Sequence, residues 1–222
     1  MKKTAFLASL AATLLFSACN NSESTEATTA AVETEVTTPA TGEGEAYAIA
    51  ADQSTLTWNG KKVTGEHSGN IALQSGELTV NGDQVTGGTL VIDMNSITNT
   101  DLTDPEYNGK LIGHLKSDDF FGTEKYPTAT FEITNLAPIE NAAADAPNYN
   151  VTGDLTIKGI TEQVSFPATI KVENGVATAK ADVTIDRTKY DIRYGSTNFF
   201  EDLGDKAINN DFTVAFDVTA RK

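Results

Sequence analysis

The chain has 222 residues, with 16 Lys and Arg against 31 Asp and Glu, a formal charge of -15 and a sequence pI near 4.4. That balance argues against a nucleic-acid binder, which needs cations to displace phosphate counterions, and against electrostatic docking on anionic headgroups. Two histidines (His67, His114) and one cysteine (Cys19) leave no Cys/His zinc site and no intrachain disulfide.

Residues 1–19 read as an export signal. Lys2 and Lys3 form a basic start, and Ala5 to Phe16 is an uncharged, mostly apolar run. The run is too short to span a bilayer, which takes roughly 20 residues. Ser17 and Ala18 precede Cys19. This resembles a bacterial lipobox, in which the cysteine is acylated and becomes the new N-terminus, although Phe16 stands where Leu is more usual. Acyl chains hold a protein to a membrane without a spanning helix. The expectation is an exported protein of the periplasm or outer membrane, anchored by lipid at Cys19. Asn20 lacks the acidic character that favours inner-membrane retention, so the outer membrane is preferred.

Residues 20–46 carry six Glu, no basic residue and no aromatic before Tyr47. Such a segment cannot bury enough apolar surface to offset its chain entropy. It reads as a disordered acidic linker, spanning roughly 30 Å as a flexible coil.

From residue 47 to 222 the pattern alternates with a period of two, which marks strands with two unlike faces. Leu56 and Trp58 share a face, as do Leu90, Ile92 and Met94. Phe131 and Ile133, Leu155 and Ile157, and Val164 through Val172 by way of Phe166 follow the same rule. Ala179 to Ile185 and Phe212 to Val218 continue it, and Ile71–Leu73 and Leu78–Val80 are two short candidates. Asn81-Gly82-Asp83, Gly87-Gly88, Ser75-Gly76 and Asn174-Gly175 read as tight turns, the last as the strongest hairpin signal. The fold class is all-β: antiparallel meandering strands, closed as a barrel or stacked as a sandwich.

One interval breaks the strand rhythm. Asp104-Pro105-Glu106 has the order of a helix N-cap, an N1 proline and a first-turn acid. Tyr107, Leu111 and Leu115 then recur at i, i+4 and i+8, beside Ile112, as one apolar stripe. Ser117 caps a further turn holding Phe120 and Phe121.

The segment HLKSDDFFGTEKYPTATFEIT, His114 to Thr134, resembles a motif of the YceI-like family of exported bacterial lipid-binding proteins. YNVTGDLTIKGITEQVSFP (149–167), the start at 47–58 and IDRTKYDIRYG (185–195) are similar to further family segments, in the same order. Ile112-Gly113 replaces an Arg-Asp pair of many members, and Ile192-Arg193-Tyr194 replaces a shorter glycine-containing pattern. The resemblance implies an antiparallel eight-stranded barrel of lipocalin-like shape with a short helix insertion. It also implies an interior holding a polyisoprenoid-like or quinone-like lipid. Eight strands leave room for side chains or one slim ligand.

On this reading the lipid-binding candidates are the inward residues of the strands: Trp58, Leu90, Ile92, Met94, Phe131, Ile133, Leu155, Ile157 and Phe166. The helix and its following turn add Leu111, Leu115, Phe120 and Phe121. Each has a plain alternative as ordinary core. His114, Arg187, Tyr190 and Arg193 are polar candidates for the mouth. Against that, His114 reads as a hydrogen-bonded helix-end residue, and the Arg187–Arg193 group as ion pairs with Asp186, Asp191 or Glu201. His67, in Gly65-Glu66-His67-Ser68-Gly69, reads as solvated at an edge or turn. The pairs Asp101/Asp104 and Asp202/Asp205 lack calcium-loop spacing, so neither metal nor cofactor is expected. Ser117 lacks a nucleophile-elbow setting, so no catalytic residue is expected. The rival readings are a structural or stress-related envelope protein with a filled core, and an enzyme acting on an apolar substrate through His114.

Overall fold

The computed structural model describes residues 43–222. The expected signal, Cys19 and nearly all of the expected linker lie outside the described residues. Among those described there are nine strand segments: β1 (Glu45–Ile49), β2 (Thr55–Lys62), β3 (Gly65–Asn81), β4 (Gln84–Asp93), β5 (Thr128–Pro138), β6 (Tyr149–Ile157), β7 (Ile160–Glu173), β8 (Val176–Asp186) and β9 (Ile208–Arg221). β1 thus starts at Glu45, two residues before the domain start expected at Tyr47. One helix, α1 (Pro105–Lys116), interrupts the sequence between β4 and β5.

Every pairing is antiparallel, and β3 pairs with β4 to close the sheet. The nine segments make eight positions around the barrel. β2 lies between β3 and β9, and where it ends β1 takes the same place, with Tyr47 opposite Leu78 and Ala48 opposite Arg221. A single 3-10 turn, Ala51–Gln53, joins the two halves. The expected eight-stranded barrel with one short helix is what the chain forms, and closure removes the sheet edges that an open sheet would expose.

Two of the expected turns are strand interior. The candidates Ile71–Leu73 and Leu78–Val80 are one strand, β3, with a register shift between Leu73 and Ser75. A side chain on Gly76 would stand 2.5 Å from the Thr89 carbonyl oxygen of β4. Gly87-Gly88 likewise lies within β4, beside a second register shift between Thr79 and Val80. These glycines serve close approach at bulges, not reversal. Asn174-Gly175 does turn the chain, with φ of 51° and 78°, as a two-residue hairpin requires.

The two poles of the barrel differ. At one, Val80, Val85, Val151, Ala168, Ala177 and Ala220 are all buried and mostly small, so the walls close on each other. At the other lie the β2–β3 and β6–β7 tips, α1 and the long segment 187–207. α1 begins as expected: the Asp104 carboxylate accepts from the N–H groups of Glu106 and Tyr107. Leu115 is buried, and Leu111 and Ile112 are half-buried. Tyr107 departs from the stripe. It is 62% exposed, and its ring meets the Lys110 ammonium at 5.5 Å.

His67 also differs from expectation. It sits in β3, with Nδ1 2.8 Å from the Asp101 carboxylate. Once β4 ends at Asp93, the segment 97–101 takes its place beside β3, and the N–H groups of Thr98 and Thr100 donate to Asn70 and Ser68 carbonyls, each at 2.9 Å. Asp101 fastens this seam, accepting also from Ser68 N–H and Asn99 Nδ2. Burial alone would raise its carboxyl pKa. The hydrogen bonds from Ser68, His67 and Asn99 outweigh that and hold it below the ordinary range.

Candidate functional site

The barrel holds an apolar cavity of about 180 Å³. Its walls are the alternating inward side chains. β2 contributes Leu56 and Trp58, β4 contributes Leu90 and Ile92, and Met94 follows just beyond that strand. Phe131, Leu155, Ile157 and Phe166 come from β5, β6 and β7. Trp58 is held by its indole N–H, which donates to the Thr98 carbonyl at 3.0 Å. It stands opposite Gly69 in β3, where a side chain would lie 1.8 Å from that same carbonyl oxygen. Gly69 therefore lets the seam segment approach and hold the tryptophan.

The floor is a layer of three phenylalanine rings from alternate strands. Phe131 lies 5.6 Å from Phe166, and Phe166 lies 5.7 Å from Phe216 in an edge-to-face contact. All three also line a smaller apolar void of about 30 Å³ beneath them. The eight residue steps of β9 from Ile208 at the mouth to Phe216 at the floor set a depth of about 20 Å along a tilted strand.

Leu115, Phe120 and Phe121 cover the mouth from the α1 side, and Phe212 meets Phe121 at 6.3 Å from β9. The expected candidates thus divide. Eleven of the thirteen apolar ones border the main cavity. Ile133 borders only the smaller void, below the floor, and Leu111 packs against the core without reaching the cavity.

The polar candidates separate further. Arg187 reaches the cavity wall yet is only 3% exposed, and no carboxylate lies within 4 Å of it among the described residues. Its guanidinium donates instead to three backbone carbonyls: Nε to Asn209 at 2.9 Å, and the two terminal nitrogens to Ile192 at 2.8 Å and Ile208 at 3.1 Å. It also faces the Phe120 ring at 5.8 Å. Burial pushes its pKa down, partly countered by Asp186. The expected surface ion pair for Arg187 is thus replaced by a staple across the mouth loops. Arg193 does make the ion pair, with Asp191, and does not line the cavity. His114 lies behind the mouth. Its ring meets Phe120 at 4.9 Å and Tyr194 at 4.4 Å, both edge-on, and Ser117 Oγ donates to its backbone carbonyl.

Tyr190 does not line the cavity. It is 1% exposed, and its hydroxyl has no hydrogen-bond partner among the described residues. Burial first, then Glu162 and Asp186, push its pKa up to about 12. The folded state therefore favours the neutral phenol. The associated stability is fully present below pH 10 and is lost as pH rises from about 10, the unfolded value, to about 12. That two-unit gap corresponds to about 2–3 kcal/mol. Tyr190→Phe removes a hydroxyl that pairs with nothing, so stability at pH 8 should be unchanged or about 1 kcal/mol higher. Urea midpoints at pH 8 and 11 check this: the drop between them should be smaller in the variant than in the parent.

The lipid-binding candidates left out Val183, Ile185, Ile192, Ile208, Phe212, Val214 and Phe216, all of which border the cavity. Alternation on β8 and β9 was the available signal for all but Ile192, which lies in the loop between those strands. Among the described residues no group of three or more His, Cys, Asp or Glu is placed to hold a metal ion.

A closed antiparallel barrel with an apolar interior open at one pole defines a lipocalin-like class of protein. The YceI-like domain model matches residues 47–220, and the chain belongs to that family. The chain is 31% identical over 109 residues to a UPF0312 protein of Photorhabdus laumondii, covering 49% of this chain and 53% of that one. It is 42% identical over 55 residues to the protein YceI of Escherichia coli O157:H7, covering 25% and 26%. The matches thus span about half, or less, of these curated relatives. Among solved structures, BcnA of Burkholderia cenocepacia is 25% identical with a TM-score of 0.57, covering 78% of this chain and 99% of that one. A domain of Saccharophagus degradans described as polyisoprenoid-binding has 18% identity and the same TM-score, covering 79% and 97%.

Proposed function

We propose that this chain is an exported, lipid-anchored carrier that holds one isoprenoid-type lipid, polyprenyl or quinone, with its apolar chain in the barrel and its head at the mouth. The observation that carries this reading is the apolar cavity open at one pole. Each CH₂ moved from water into such a cavity gains about 0.8 kcal/mol; at about 180 Å³ the space takes a short apolar segment, and a long chain requires the cover of Leu115, Phe120 and Phe121 to move aside. Membership of the YceI-like family supports the reading, and so does the description of the Saccharophagus degradans fold neighbour. A barrel with a filled core, the structural-protein alternative, would leave no such cavity. Acylation at Cys19 and a place in the cell envelope are parts of the proposal that rest on the sequence.

The test is organic extraction and mass spectrometry of the protein purified from its own host. One apolar lipid at about one per protein is the expected result. Repeated recovery without lipid, together with no uptake of a C40 polyprenol, overturns the reading. A mass increase on the mature chain that disappears in Cys19→Ser checks the anchor separately.

A further inference from the structure

We infer that the open pole is a membrane-docking surface, through which the barrel settles mouth-first on the zwitterionic interface of a phospholipid bilayer. The inference rests on the carrier reading above. Six large apolar or aromatic side chains are exposed among the described residues: Val63, Tyr107, Tyr126, Tyr194, Phe199 and Phe200. All six belong to the open pole, and none lies on the connections 81–84, 139–148 or 173–176 of the closed pole. Scattered exposed hydrophobes are ordinary, but confinement to one end marks a contact surface.

These residues are joined to the mouth. Tyr194 stacks edge-on to His114 and lies 5.8 Å from Phe120, which lines the cavity. Val63 N–H donates to Ala207, and Ile208 N–H to Gly195, so the β2–β3 tip and the segment 194–207 form one rim. Phe199 carries the Arg193 guanidinium 5.0 Å from its ring. Half-exposed aromatics beside Arg and Lys suit a boundary that is apolar on one side and wet on the other.

Charge selects the partner. Apart from the buried Arg187, residues 187–206 hold three basic and four acidic side chains, all exposed, while the whole of 47–222 holds 14 and 25. The rim is close to balance where the rest of the domain is acidic, which favours a zwitterionic surface over an anionic one. The length of chain ahead of the barrel permits the orientation. β1 enters at the closed pole, where Glu45 lies opposite Val80 and pairs with Lys222. A barrel of this strand length is about 35 Å tall. The 26 residues from Cys19 to Glu45 reach about 90 Å at full extension, so an anchor at Cys19 leaves the mouth free to face the same membrane.

The test places a tryptophan at either pole of the full chain, Phe200→Trp or Glu140→Trp, and adds phosphatidylcholine vesicles with brominated acyl chains. Quenching at position 200 and not at position 140, after subtracting the Trp58 signal, is expected. Equal quenching at both, or at neither, overturns the proposal. Concentration-dependent dimers in sedimentation with no quenching also overturn it and assign the patch to a second copy. The double variant Phe199→Ser/Phe200→Ser should slow C40 polyprenol transfer from donor vesicles about tenfold while leaving the amount retained at equilibrium unchanged. An unchanged rate counts against docking as the route. Failure of every form to take up polyprenol sinks the carrier reading alone, because the quenching experiment does not depend on it.

Discussion

Replacing Phe166 with alanine should cost about 3–5 kcal/mol of stability and deepen the pocket at the same time. Phe166 is the middle ring of the floor, in contact with Phe131 on one side and Phe216 on the other. It borders both the main cavity and the void beneath it. Alanine removes the ring that touches both neighbours, and the two spaces join. The cost is that of truncating a buried phenylalanine whose surroundings, rigid antiparallel walls, collapse little. The gain is length, since the void reaches toward Ile133, Val151 and Ile170. Urea midpoints read the first effect. The second is read by offering the protein a mixture of polyprenols and finding which chain lengths it retains: the distribution should shift to longer chains. Phe166→Leu keeps most of the volume, and should shift both quantities less. If the retained lengths are the same in the parent and in Phe166→Ala, the ring layer does not limit depth.

That layer also shows where sequence reading stops. Alternation on β5, β7 and β9 placed Phe131, Phe166 and Phe216 on inward faces. Nothing in a single strand says that three rings from alternate strands meet, because the contact depends on tilt and stagger around the closed sheet. Whether inward residues leave a cavity or fill a core is a property of such meetings, so it was not legible. The antiparallel strands were legible, because period-two alternation is written locally and repeats in every strand, whereas closure as a barrel rather than a sandwich came from the family resemblance. Ser75-Gly76 and Gly87-Gly88 misled for a definite reason. Glycine answers both a turn's need for unusual φ and a bulge's need for close approach, and the sequence does not say which. Arg187 misled in another way. Acids flank it in the chain, at Asp186 and Asp191, yet Asp186 is spent accepting from Thr188 and Asp191 pairs with Arg193. The carbonyls that receive Arg187 come from Ile192, Asn209 and Ile208, two of them more than twenty residues away.

Those carbonyls make Arg187→Met the second large effect. The long loop between β8 and β9 has few regular hydrogen bonds, and Arg187 ties its ends together. One terminal nitrogen holds Ile192 at the start, while the other nitrogens hold Ile208 and Asn209 at the return. Methionine matches much of the volume and lacks every donor. The buried Ile192 carbonyl then loses its partner where water is scarce, at about 1–3 kcal/mol if it stays unpaired, and the part-buried Ile208 and Asn209 carbonyls lose theirs nearer to solvent. The expected loss is about 3 kcal/mol or more, measured by urea unfolding. Lysine does not restore it, because one ammonium cannot reproduce a planar fork aimed at three separated oxygens. The damage should also be local. Ile192 and Ile208 both line the cavity, so a loosened loop opens the wall beside the mouth. Amide exchange at Ile192 and Ile208 should accelerate more than exchange in β4, on the opposite side of the closed sheet. A bound polyprenol should leave faster even at temperatures where the variant is fully folded. Uniform acceleration of exchange, with an unchanged release rate in the folded variant, would mean that Arg187 stabilises the barrel as a whole without guarding its mouth.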